Sequence, residues 1–458
     1  MGGGRPRRGV GPRRFSNLSR PLSDSTLAEL HGRARDLGVP GYRKLTRSEL
    51  IEAIDKAAEP PEAESAEEAP PRPEGRRRRG RRGRRGRGRE NGREAAEEPE
   101  PSGEQERPAA DEVETEEVTG VLDRMPPGYG FLRLQGLRSA EGDVYVSASQ
   151  IKRCELRPGD EVSGPARAPQ RGERHRALIR VDAVNGQDPE SDRVQFEDLT
   201  PVAPHRRVPL RESDQDPLVR AVDLLGPLAL GQRVLILAEP RSGRTTLLRA
   251  LGEALSRGET RVVVLLADER PEEVTAWEGA LPGAEIIAAP ADTEPREQVR
   301  AAELAIGHAR RRAEAGEDVV ILIDSLSRLA LGYRDPARVK RLFGAGRELG
   351  EEGAGSLTVV ATVLDSDDVG EQVRAAVETT ENLLLRLDAK LAAAGVVPAL
   401  VPEESRASGE EELREPDEME KVRALRAELS EMEPEQAARA LGERIAATSS
   451  NEELLARS

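Results

Sequence analysis

Residues Val234–Leu248 read VLILAEPRSGRTTLL, and this stretch restricts the possible folds more than any other. Its apolar start lacks polar alternation, as suits a strand buried on both faces of a parallel sheet. Pro240, Ser242 and Gly243 then turn the chain sharply, and Thr245-Thr246-Leu247-Leu248 begins a helix. A strand, a small-residue turn and a helix N-terminus present free backbone N–H groups and a positive dipole end to an anion. The pattern approaches the phosphate loop Gly-x-x-x-x-Gly-Lys-Ser/Thr. Ala238 stands for its first Gly and Arg244 for its Lys. A strand–turn–helix without a ligand is the plain alternative.

Further apolar runs follow at 262–268, 285–290, 319–324, 357–364 and 382–388, with a long helical pattern over 294–315. Strands alternating with helices predict an α/β domain with a largely parallel sheet. Two of these strands end in acid: Asp324 closes VVILID, and Asp268-Glu269-Arg270 closes VVVLLADER. Sites in such sheets gather at the carboxyl ends of strands. An acid one strand from a phosphate loop is where Mg²⁺ and its waters are held. Together the turn and the acids point to ATP.

Between Val118 and Val184 the pattern changes to five short strands with turn signals, which predicts a small barrel of the OB or cold-shock kind. Three of the chain's nine aromatic residues fall here, Tyr129, Phe131 and Tyr145. Tyr129 and Phe131 share one strand face, and Arg133 continues it. Aromatics with an arginine form a stacking platform for single-stranded nucleic acid. The alternative is that the aromatics fill the barrel, but Leu132 and Leu134 on the opposite face suit that role.

The N-terminal quarter reads differently. Residues 1–22 form a basic tail expected to be disordered, 23–57 carry two short helical patterns, and 58–116 are low complexity rich in Pro, Glu, Arg and Gly. Such a linker cannot bury a core. Within it, Gly75–Arg89 is an arginine run that attracts polyanions. The barrel then spans 117–186 and the α/β domain 187–458. The net charge of −15 hides this segregation, so it excludes no partner class. A single cysteine, Cys154, rules out an internal disulfide and fits a reducing cytosol. The absence of a long apolar run predicts a cytoplasmic protein with no membrane partner.

These motifs resemble the family of the bacterial termination factor Rho. The resemblance runs from Ser23 to the C-terminus through GYGFLR (Gly128–Arg133), DVYVSASQIKR (Asp143–Arg153), FEDLTP (Phe196–Pro201) and DERPEEVT (Asp268–Thr275). It continues through ILIDSLSRLA (Ile321–Ala330), RLFGAGRE (Arg341–Glu348), EPDEMEKVRALR (Glu415–Arg426) and ATSSNEELL (Ala447–Leu455). It implies a small all-α N-terminal domain, an OB-like barrel and a RecA-like P-loop NTPase domain. It also implies a hexameric RNA-dependent ATPase that translocates along nascent RNA and releases transcripts from RNA polymerase. Carried over by position, the RNA site falls on Tyr129, Phe131, Arg133, Asp143, Tyr145, Glu173 and Arg174, with His175 where an aromatic is usual. Pyrimidine-rich RNA suits that pocket. The ATP site falls on Pro240, Arg241, Ser242, Gly243, Arg244, Thr245, Thr246 and Val397. Thr245 and Asp324 would hold Mg²⁺, Glu269 would polarise the attacking water, and Arg270 and Arg328 match catalytic charged residues around it.

The chain also departs from the family. Val397 stands where an adenine-stacking aromatic is usual, and Gly332–Arg338 replaces a longer RNA-gripping loop. A second such loop reads Glu378-Thr379-Thr380-Glu381. The arginine-finger motif reads Ser408-Gly409-Glu410-Glu411, leaving Arg406 and Arg414 as candidates. A second reading therefore stands beside the first: an RNA-binding paralogue that hydrolyses ATP weakly or not at all and modulates a genuine terminator, joining its rings.

Overall fold

The computed structural model describes residues 115–210, 216–290, 293–333 and 335–457, with Ile51 and Ala53. The basic tail, the linker up to residue 114 and nearly all of the expected N-terminal helical domain lie outside the described residues. Ile51 and Ala53 are helical, within the second helical pattern. The chain divides into two units, 1–103 and 104–458; every other described residue belongs to the second.

Six strands build the barrel: β1 (Thr115–Arg124), β2 (Gly130–Arg133), β3 (Val144–Val146), β4 (Glu161–Arg167), β5 (Arg176–Leu178) and β6 (Ala183–Val184). Their order is β1-β2-β3-β5-β4, and pairing of β1 with β4 closes the ring, with β6 added beside β4. The last predicted strand is therefore two short ones, divided where the chain passes from β5 to β6. Alternation sorts the side chains as expected. Leu122, Leu132, Val144, Val146 and Val162 are completely buried inside, whereas Phe131 and Tyr145 are partly exposed outside.

The α/β domain contributes β7 (Pro201–Val202), β8 (Arg233–Ala238), β9 (Arg261–Glu269), β10 (Glu285–Pro290) and β11 (Asp318–Asp324). It continues with β12 (Arg347–Leu349), β13 (Ser356–Leu364), β14 (Leu383–Leu387) and β15 (Arg406–Ala407). The main order is β10-β9-β11-β13-β8-β14-β15. The first six are mutually parallel, and β15 is an antiparallel edge. The strands are apolar throughout because both faces are covered. Val234 and Ile236 face one core, which holds Leu247, Leu248 and Leu251 of helix α1 (Arg244–Leu255). Leu235 and Leu237 face the other, with Ala302, Ala305 and Ile306 of helix α2 (Pro295–Glu314).

Helix α2 also carries the barrel. Gly159 has φ +88°, and a Cβ there would stand 2.4 Å from the backbone of Gly307 and His308. Only glycine permits so close an approach in that conformation. His308 Nδ1 lies 3.0 Å from the Gly159 carbonyl oxygen, and Arg157 donates to Glu314 at 2.9 Å. Close backbone packing and charge pairing thus fix the barrel against helix α2 of the α/β domain.

Candidate functional sites

At the carboxyl end of β8 the chain turns through Glu239–Gly243. Ser242, fully buried, donates its hydroxyl to the Glu239 carbonyl at 2.7 Å and tightens the turn. Gly243, at φ +90°, caps α1, and no side chain accepts from the first N–H groups. Those donors lack intrahelical partners and suit an anion. Arg241 is also left-handed, at φ 66°; it, Pro240 and Thr246 are exposed.

Three strand ends converge on that helix start. Asp324, fully buried at the end of β11, accepts from Thr245 Oγ1 at 3.1 Å and from Thr362 Oγ1 at 3.1 Å. Arg244 places Nη2 3.0 Å from Asp324 Oδ1 and 3.5 Å from Glu269 Oε1. Its Nε and Nη1 are buried without hydrogen-bond partners. Buried donors of this kind are costly unless an acceptor reaches them, so the guanidinium fits a phosphate group. Glu269, at the end of β9, also lies 2.8 Å from Arg328 Nη1. Burial pushes the Glu269 carboxyl above its ordinary value and the Asp324 charge adds to this, opposed by Arg328 and Arg244. Ser325 caps the helix bearing Arg328 by accepting from Arg328 N at 3.3 Å, a bond of the kind that contributes about 1 kcal/mol.

Among the described residues, no group of three or more His, Cys, Asp or Glu side chains could hold a metal. A hydroxyl and one carboxylate, completed by substrate phosphates, is nevertheless a donor set that suits Mg²⁺. Arg270 lies apart: it is exposed, and its side chain makes no hydrogen bond or ion pair among the described residues. Val397 is 58% exposed.

The two finger candidates differ. Arg414 is buried, ion-paired with Glu410 and Glu418, and donates to the Asp223 carbonyl. That network fully engages it within its own chain. Arg406 keeps its side chain 57% exposed and pairs with Glu381 at 3.1 Å and Glu378 at 3.7 Å.

On the barrel, four rings gather. Tyr129 and Tyr145 have centroids 5.6 Å apart, Phe131 and Tyr145 6.0 Å, and Phe131 and His175 4.9 Å. A cleft of about 670 Å³ opens beside Tyr145 and His175, lined also by Glu173, Arg174, Arg153 and Arg167. Glu173 is lowered to about 2 by hydrogen bonds from Arg167 and the Gln170 N–H. Arg153 and Arg167 were not singled out in the sequence; one ends a short helix and the other ends β4.

Arg133 differs from the expectation of an arginine presented on the stacking face. It is 6% exposed and donates to Asp123, to Asp143 and, at 2.9 Å, to Ser139 Oγ. Asp123 stands on β1 and Asp143 just before β3, on either side of β2, and they draw it into the wall. Asp143 Oδ1 remains buried without a donor.

Family models match along the chain: Rho termination factor, N-terminal domain over 21–61; Rho termination factor, RNA-binding domain over 118–190; and ATP synthase alpha/beta family, nucleotide-binding domain over 219–341. The chain is 38% identical over 366 residues to transcription termination factor Rho of Aquifex aeolicus, covering 74% of this chain and 84% of that protein. It is also 38% identical over 340 residues to the Rho of Bacillus subtilis, covering 69% and 78% respectively. With Rho of Thermotoga maritima it shares 38% identity over 361 residues, 73% of this chain and 84% of that one.

Proposed function

The chain belongs to the transcription termination factor Rho family, and we propose that it binds nascent single-stranded RNA and hydrolyses ATP to translocate and release transcripts from RNA polymerase. The observation that carries this reading is the convergence of Gly243, Arg244 and Thr245 with Glu269 and Asp324, in a chain whose barrel gathers four stacking rings. A homohexameric ring in the cytoplasm is part of the proposal. No helix among the described residues is long and apolar enough to cross a membrane.

Each side chain then has a role. The N–H groups at the start of α1 and the free nitrogens of Arg244 bind phosphate oxygens. A guanidinium is wider than an ammonium and donates in a planar fork, so Arg244 contacts two oxygens where a lysine would act as a point charge. Thr245 and Asp324 would hold Mg²⁺, which would neutralise charge on the phosphates. Glu269 orients the attacking water and takes its proton; its raised carboxyl makes it the stronger base. Arg328 positions Glu269. Val397 offers adenine an aliphatic contact. If a neighbouring subunit supplies an arginine, Arg406 has the exposure for it.

In the barrel, bases stack on Tyr129, Phe131, Tyr145 and His175. Pyrimidine-rich RNA, as the family resemblance implies, is the proposed ligand of this face. Tyr145→Ala should weaken binding of oligocytidylate by about 1–3 kcal/mol, the worth of one stacked base. ATP turnover without RNA should stay unchanged. Equal affinity of the variant and the parent protein, measured by fluorescence anisotropy, would remove RNA from this face.

A further inference from the structure

We infer that the arginine-lined cleft between the barrel and helix α2 is a track for the RNA backbone as it leaves the aromatic pocket. The inference rests on the RNA-binding reading above. The cleft has a volume of about 390 Å³ and is lined by seven arginines against three carboxylates. All three carboxylates are already engaged. Asp123 accepts from Arg133 and Arg300, Glu197 pairs with Arg310 at 2.9 Å, and Glu303 accepts from Tyr333 Oη at 3.3 Å.

Arg124, Arg338 and Arg341, by contrast, are exposed and have no ion-pair partner among the described residues. The excess is felt inside the cleft. Burial and the charges of Arg347 and Arg341 hold Arg310 below its ordinary value, and burial and Arg157 do the same to Arg311. A desolvated surplus of positive charge is relieved by a bound polyanion. Tyr333 adds a half-buried ring in the same wall, with the Arg338 guanidinium 6.0 Å from its centre.

Continuity with the aromatic pocket makes the occupant RNA. Asp123 stands directly opposite Phe131 in the β1–β2 pairing, so both lie on one sheet face. Its carboxylate reaches across to Arg300 at 3.1 Å, so the rim of the stacking platform is also the rim of the cleft. An OB-type site covers roughly 4–16 nucleotides, more than four rings can stack. The remaining phosphates need basic groups beside the rings, and this cleft supplies them with an aromatic interleaved.

The test compares cytidylyl-cytidine, which fills the aromatic pocket alone, with an oligocytidylate of about twelve nucleotides. Both are titrated against the full chain and its Arg338→Ser/Arg341→Ser variant over a range of salt. The variant should bind the long RNA about tenfold or more weakly, with a salt slope smaller by about 1.4 for two lost phosphate contacts. Its affinity for the dinucleotide should be unchanged. An unchanged affinity and slope for the long RNA, or equal losses for both ligands, would overturn the track. Tyr145→Ala separates the two readings. If it weakens neither ligand while the arginine variant still weakens the long one, the stacking reading fails and the cleft holds the RNA backbone independently of that pocket.

Discussion

Glu269→Gln should lower RNA-stimulated ATP turnover by about 10²–10⁴-fold while leaving ATP affinity within a few-fold. The amide preserves the shape of the side chain and its contact with Arg328, 2.8 Å away, but it cannot accept a proton. A loss confined to kcat therefore isolates proton transfer from binding. The pH profile supplies a second signature. Glu269 is held above its ordinary value by burial and by Asp324, and it must be ionised to act. Turnover should rise with pH along a limb displaced upward from the ordinary glutamate value of about 4.3, and the limb should vanish in the variant. Turnover unaffected by the substitution would assign the water to another group.

Arg133→Met should destabilise the barrel by about 3–5 kcal/mol, because it leaves buried Asp143 without its cationic partner and removes one of two from Asp123. Asp123 is 5% and Asp143 2% exposed; Asp123 retains Arg300, whereas the Asp143 carboxylate keeps, among the described residues, the Ala140 N–H at 2.9 Å. Amide hydrogen exchange in β1–β3 reads this locally, as a fall in protection of about 10²–10⁴-fold for opening of the barrel. Adding Asp143→Leu should restore part of the loss, since the charge left unpaired is removed along with its partner. Undiminished protection in Arg133→Met would mean that the arginine is dispensable to the wall, and a direct role at the RNA surface would regain support.

The same residue shows where sequence and structure part. Strand alternation puts Arg133 on the face of Phe131, as it is, but says nothing of depth. Depth came from Asp123 on β1, from Asp143 just before β3 and from Arg300 more than 150 positions away. The parallel strands were legible because burial on both faces writes them as unbroken apolar runs; β8, β9, β11 and β13 fall where those runs lie. The antiparallel strands β7, β12 and β15 span only two or three residues, too few for a period to register. Glu269, Asp324 and Thr245 were visible as acid-tipped strands and a helix start, and the sheet brings them together. Arg414 could not be told from Arg406 by position, because its partners Glu410, Glu418 and the carbonyl of Asp223 surround it only once the C-terminal helices pack. The arginine cleft is likewise assembled from segments of the barrel, α2 and the 333–342 region.

The central claim, that this chain couples RNA to ATP hydrolysis, is tested most directly by steady-state ATP turnover of the purified protein with and without C-rich single-stranded RNA, with RNA binding measured in the same samples. The account predicts turnover that rises when RNA binds, with Arg244 serving in place of a lysine at the phosphates. RNA binding without any rise in turnover, unrescued by Arg244→Lys, would contradict it and leave an RNA-binding member of the family whose nucleotide site does not drive a motor.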